Sequence, residues 1–242
     1  MEKRREELIA LSKKKMEIIE DEKKIFQDYI HIDNGKYISD DISIDKIPKF
    51  KDEDNYNYNL KQKYITLIDG LSITNENIIN SFKVWKKIHN NDVEVSVFST
   101  YHCLKLLKLN EYIIYDIKKF IDESIATLWV IRQEENIDNI KIDSIGSMLN
   151  DKNSDIVKEK IPDLLEFKDF FEIINDICNS YKHSFTNNMR AMYGSEEDCV
   201  ISIYAKGNKD IYNSKVYSVP LRRIINEFNL FYKKFFELVE NS

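Results

Sequence analysis

The stretch Asp163–Thr186, DLLEFKDFFEIINDICNSYKHSFT, decides the fold. Within it Phe167, Phe170, Phe171, Ile174, Ile177, Cys178, Tyr181 and Phe185 recur at spacings of three and four. That period places them on one stripe of a single helix. Asp163, just after Pro162, is positioned to cap its start. Burying each large apolar side chain gains about 1.5–3 kcal/mol before chain entropy is subtracted. The spacing therefore predicts a helix over 163–186 whose stripe faces a core.

The period changes downstream. Cys199–Tyr204 (CVISIY) and Lys215–Val219 (KVYSV) are rich in β-formers, and Gly207-Asn208-Lys209-Asp210 between them reads as a turn. A two-stranded hairpin is expected there. Ser218 then caps a last helix with Pro220 in its first turn, and Leu221, Ile224, Ile225, Phe228, Phe231, Tyr232, Phe235, Phe236 and Val239 mark its buried stripe.

Upstream, residues 138–153 read as a polar linker. Before it, Ile113, Ile117, Ile121, Ile125 and Leu128 repeat nearly every four residues, and Ile114, Phe120, Trp129 and Ile131 make other sides apolar. A helix that is apolar on several sides sits centrally in its bundle; this one is expected to end near Asn136. Cys103, Leu104, Leu106 and Leu107 suggest helix as well, while Val93–Phe98 fits strand or helix. Thr74-Asn75-Glu76-Asn77 offers a helix start, with Thr74 as cap. Residues 31–60 read as an irregular connection whose Asn/Tyr tract, Asn55–Asn59, is either low-complexity loop or a platform for base stacking. Residues 1–30 read as a charged amphipathic helix with eight basic and eight acidic residues, a peripheral packing helix or a dimer arm.

The expected fold is mainly α: a helical bundle with a small two-stranded β-hairpin before the C-terminal helix. Two parts are expected, an N-terminal helix and linker over 1–60 and the bundle over 61–242. Of the 242 residues 43% are hydrophobic, enough for a core, and only 5 Gly and 3 Pro interrupt the backbone. The net charge of −6 excludes a broad basic footprint for duplex nucleic acid but leaves a local basic groove open. Cys103, Cys178 and Cys199 are widely spaced and odd in number, which fits free thiols in a reducing cytoplasm. The first residues, MEKRREELIALSKKK, lack a signal-peptide core, and no apolar run is long enough for a membrane span. A cytoplasmic protein is expected.

The polar side of the 163–186 helix carries the candidate chemistry. Asn175, Asn179 and His183 recur at four-residue spacing, with Lys182 and Thr186 beside them. Residues i and i+4 point nearly the same way, so two amides, an imidazole and an ammonium project together. Histidine can move a proton near neutral pH, and Lys182 with the amides can hold a phosphate. The plain alternative is a solvated helix edge with an incidental histidine.

The string Asn175-Asp176-Ile177-Cys178-Asn179-Ser180-Tyr181-Lys182-His183-Ser184-Phe185 resembles the N…KHS helix of HEPN-like proteins, and the hairpin and last helix resemble one branch of that superfamily. The likeness spans roughly residues 95–240, with motif specificity confined to the helix around His183. It implies a helical bundle, often dimeric, that cleaves or binds RNA without a metal in toxin–antitoxin or antiviral defence settings, with an antitoxin or other protein as a possible partner class. Carried over, His183 takes the histidine place and Asn179 the polar place of the motif; on the polar helix face His183 is then expected as the catalytic base, Lys182 as the phosphate contact and Asn179 as the orienting amide, with Asn175, Thr186 and Arg190 contacting RNA. The superfamily's ribonuclease motif also has an arginine, which would fall at Cys178, Ile177 or Asp176 here. None is arginine, so Lys182 or Arg190 is left to supply the cation.

A second reading of another class is a non-catalytic scaffold that oligomerises and binds a protein partner. Neighbouring His102-Cys103 lack the second pair a zinc site needs. No GxGxxG, GxxxxGK[ST], HExxH or GxSxG occurs, so neither cofactor nor metal is expected.

Overall fold

The computed structural model describes residues 55–89, 98–132, 141–183, 198–205 and 212–241. The expectations for residues 1–54, including the N-terminal helix, lie outside them, as do those for Val93–Val97 and the hairpin turn. The described chain forms six α-helices and one sheet: α1 Asn55–His89, α2 Phe98–Arg132, α3 Ile145–Met148, α4 Ser154–Lys160, α5 Lys168–His183, β1 Cys199–Tyr204, β2 Lys215–Pro220 and α6 Leu221–Glu240. The mainly helical architecture with a hairpin before the last helix is thus the one its periodicity predicts.

Helices α1 and α2 run antiparallel. Lys63 pairs with Glu123, Thr74 reaches Asp116 at 3.4 Å, and Ser81 reaches Asn110 at 2.7 Å, so partners descend along α2 as they ascend along α1. Central α2 touches α1, α3, α5 and α6. Its residues Ile113, Ile114, Ile117, Ile121, Ile125 and Leu128 are fully buried, as expected of a helix apolar on several sides. Aromatic rings from α5 and α6 complete the core. Phe231 meets Phe171 edge to face at 5.4 Å and Phe167 at 5.6 Å, and Phe120 of α2 meets Phe228 at 5.3 Å.

The hairpin is antiparallel, pairing Cys199 with Pro220 through to Tyr204 with Lys215. It is fastened to α5 by polar contacts. Tyr217 Oη donates to Asp176 Oδ2 at 2.6 Å, Lys215 Nζ lies 3.2 Å from the same oxygen, and Tyr181 Oη donates to the Ile201 carbonyl at 3.2 Å.

Several local expectations change. Thr74 does not start a helix: α1 runs through it, because its hydroxyl bonds back to the Gly70 carbonyl at 3.1 Å and its cap function is not needed. The Asn/Tyr tract at 55–59 is the opening of α1 and not an irregular connection. Asp163 caps nothing. Its carboxylate takes the Arg132 guanidinium at 3.0 Å, and Pro162–Phe167 is a 3-10 turn that delays α5 until Lys168. The same Arg132 donates to the Lys160 carbonyl at 3.0 Å, so the end of α2 clamps this junction. The polar linker at 138–153 contains α3, held by a capping box between Ser144 and Ser147, with Ile142, Ile145 and Met148 buried. Ser218 is a strand residue opposite Ile201, and the first amide of α6 is satisfied instead by the Asp198 carbonyl, Leu221 N to O 2.8 Å.

Gly70 sits inside α1 with nothing within 4 Å of where a Cβ would lie. Glycine costs a helix interior conformational entropy, so Gly70→Ala is expected to stabilise the protein by about 0.5–1 kcal/mol. Thermal unfolding followed by circular dichroism checks this, and a lowered midpoint would refute it.

Candidate functional site

Helix α5 has two working sides. Phe171, Ile174 and Ile177 are fully buried, with Cys178 almost so. Asp176, Ser180 and Tyr181 turn toward the hairpin, where Asp176 accepts Tyr217 and Lys215 and Ser180 contacts Ser202. All three positions where the family motif would place an arginine, Asp176, Ile177 and Cys178, are therefore buried. Asn175 and Asn179 lie on the remaining arc, partly exposed. Among the described residues neither amide has a hydrogen-bond partner in the fold.

Lys182 borders that arc on the side facing α2. It lines an open cleft of about 400 Å³ together with Tyr115, Lys118, Lys119, Asp122, Glu123 and Cys178. Its Nζ lies 5.5 Å from the centre of the Tyr115 ring, a cation–π contact that holds the ammonium over the cleft. The Tyr115 hydroxyl donates to Glu111 at 3.3 Å, and burial followed by the Glu111 charge pushes its phenol up, keeping it neutral. Below, burial pushes the Cys178 thiol up, with Lys182 and Lys118 acting in the opposite direction. Cys178 is a protonated floor, not a nucleophile.

The cleft's charges are not equivalent. Buried Lys118 is bound to Asp122, and Glu123 is bound to Lys63. Burial pushes the half-buried Asp116 carboxyl up, against the Thr74 hydroxyl and the exposed Lys119, which pull it down. Among the described residues neither Lys119 nor Lys182 forms an ion pair. These two ammoniums, lining one cleft with Tyr115, can bind an anion.

Of the residues proposed from sequence, Lys182 lines the cleft and Asn175 and Asn179 do not. His183 closes α5, but its side chain lies outside the described residues, as do Thr186 and Arg190. The sequence reading missed the α2 half: Tyr115, Lys118, Lys119, Asp122 and Glu123. Their spacing of three, four, seven and eight is a polar stripe on a helix read as apolar on several sides, and it was the available signal.

Among the described residues no group of histidine, cysteine and carboxylate side chains could hold a metal ion, and no helix is long and apolar enough to cross a membrane. No protein-family model, curated protein or solved structure matches the chain.

Proposed function

We propose that this chain is an HEPN-like module that binds RNA along the α2–α5 cleft, in a toxin–antitoxin or phage-defence setting. The observation that supports this reading is that Lys182, held over the Tyr115 ring, and Lys119 line one open groove. Lys182 and Lys119, neither ion-paired among the described residues, suit successive phosphates, and so narrow a groove favours single-stranded over duplex RNA. The net charge of −6 is consistent with so local a basic site. In this reading Lys182 contacts the scissile phosphate. His183, one residue on, takes the proton of the 2′-hydroxyl, and Asn179, one turn back, orients the chain. Thr186, Arg190 and Asn175 extend the contact. The absence of arginine at 176–178 puts the weight on binding, with cleavage dependent on Lys182 as the cation.

The test is titration of a short fluorescent single-stranded RNA at several salt concentrations. Lys182→Glu and Lys119→Glu are each expected to weaken binding at least tenfold. Each should also lower the slope of log affinity against log salt by about 0.7, the value for one lost phosphate contact. His183→Ala should keep the affinity and abolish any cleavage. Unchanged affinity in both lysine variants would refute the RNA reading and leave the scaffold reading in its place.

A further inference from the structure

Asp198 is 1% exposed at the head of β1, and two side chains from the α1–α2 hairpin meet it. Ser81 Oγ lies 2.6 Å from Asp198 Oδ2 and 2.7 Å from Asn110 Oδ1, while Asn110 Nδ2 lies 3.2 Å from Asp198 Oδ1. Three contacts form a closed triangle, and each needs one proton. A serine hydroxyl has one proton to give, and the amide presents its NH2 to only one of its two partners. With the amide oriented as above, the two contacts of Ser81 share a single proton. With the amide flipped, its oxygen faces Asp198 Oδ1 and that contact has none. In either orientation an ionised Asp198 leaves two oxygens in unfavourable contact inside the protein. A proton on the carboxyl closes the ring: Asp198 donates to Ser81, Ser81 to Asn110, and Asn110 to Asp198.

We propose that Asp198 is a neutral carboxylic acid in the folded protein near neutral pH, a proton-held latch that joins β1 and the start of α6 to α1 and α2. The surroundings agree. Among the described residues no lysine, arginine or histidine forms an ion pair with Asp198. On α1 and α2 it meets Ser81 and Asn110, which do not titrate. On α6 it meets the Leu221 amide, which donates to its carbonyl at 2.8 Å. From α5 the titratable neighbour is Tyr181, whose phenol burial pushes up and whose hydroxyl is committed to Ile201. Burial pushes the Asp198 carboxyl up, outweighing the Ser81 and Asn110 contacts.

The sign follows directly. A carboxyl raised on folding keeps its proton while the unfolded chain, with an ordinary value near 3.9, has lost it. Stability then falls as pH rises between the two values, by up to about tenfold in the unfolding constant per pH unit. The experiment is urea unfolding of wild type and Asp198→Asn from about pH 5 to about pH 8, with infrared spectra of the folded protein at neutral pH. Asparagine supplies the proton permanently, so the part of the fall that Asp198 contributes should disappear and the slope in Asp198→Asn should be shallower than in wild type. The wild-type spectrum should contain a protonated-carboxyl band. Asp116, among the described residues the other carboxyl that burial pushes up, is removed by Asp116→Asn, and the band that remains should be lost on adding Asp198→Asn. The infrared result decides alone if Asp198→Asn does not fold. A carboxylate-only spectrum in Asp116→Asn, or an unaltered pH slope in Asp198→Asn, would overturn the proposal.

Discussion

Phe231→Ala is expected to destabilise the protein by about 4 kcal/mol, within the range for deleting a fully buried phenylalanine. Phe231 is 0% exposed, and its ring is the hub of the aromatic core. It meets Phe171 at 5.4 Å and Phe167 at 5.6 Å, both edge to face, and lies 6.1 Å from Phe235 on its own helix. Edge-to-face pairs add to the area term because the positive ring edge meets a negative face. Truncation removes both the ring and these contacts. The cavity that remains is walled by other rings, which collapse poorly because each is also in contact with a further ring. A loss of this size is a large part of the 5–15 kcal/mol that stabilises an ordinary domain. Urea unfolding should show a much lower midpoint with an unchanged slope. Phe231→Leu fills most of the space and should lose roughly a third as much. A loss for Phe231→Ala below about 1.5 kcal/mol would mean that α6 is not anchored through this ring.

Phe231 is legible in the sequence alone, as are nearly all of the core phenylalanines and isoleucines. Their three- and four-residue spacing survives because burial enforces it. The hairpin was legible for a similar reason: CVISIY and KVYSV change period where the backbone does. What escaped is where a local signal is taken over by a distant partner. Thr74 has the chemistry of a cap, yet α2 presents Asp116 to it across the helix pair. Asp163 stands after a proline like a cap, yet Arg132 claims it from the end of α2. Ile145 and Met148 lie in a stretch too short to show a period, and they are buried because α2 and α5 offer α3 a surface. The site divides in the same way. Lys182 was found on the strength of its own helix, while Tyr115 and Lys119 belong to a helix some sixty residues earlier in the chain. Only packing brings α2 beside α5.

Asp122→Ala is expected to cost about 3 kcal/mol, because that carboxylate has two separate tasks. Its Oδ2 binds the ammonium of Lys118, and its Oδ1 accepts the Ile145 amide at 2.8 Å, at the first turn of α3. The Lys118 side chain is only 11% exposed, so removing its partner leaves a charge that water reaches poorly. Glu123, the nearest alternative in sequence, is already bound to Lys63. The estimate sits at the low end of the buried-pair range because the Asp122 side chain keeps a quarter of its surface in solvent. Asp122→Asn should fall between alanine and wild type, since an amide oxygen can still accept from Ile145. Lys118→Met in the Asp122→Asn background removes the stranded charge and should recover most of the loss. Chemical denaturation of wild type, Asp122→Asn, Lys118→Met and the double variant gives the coupling energy, and a double variant no better than Asp122→Asn would refute the stranded-charge account. The same double variant separates support from contact in the cleft. If Lys118 only shapes the floor while Lys119 and Lys182 meet the phosphates, the refolded double variant binds single-stranded RNA with its affinity and salt slope intact. A slope lowered as far as in Lys182→Glu would instead place Lys118 among the groups that touch RNA.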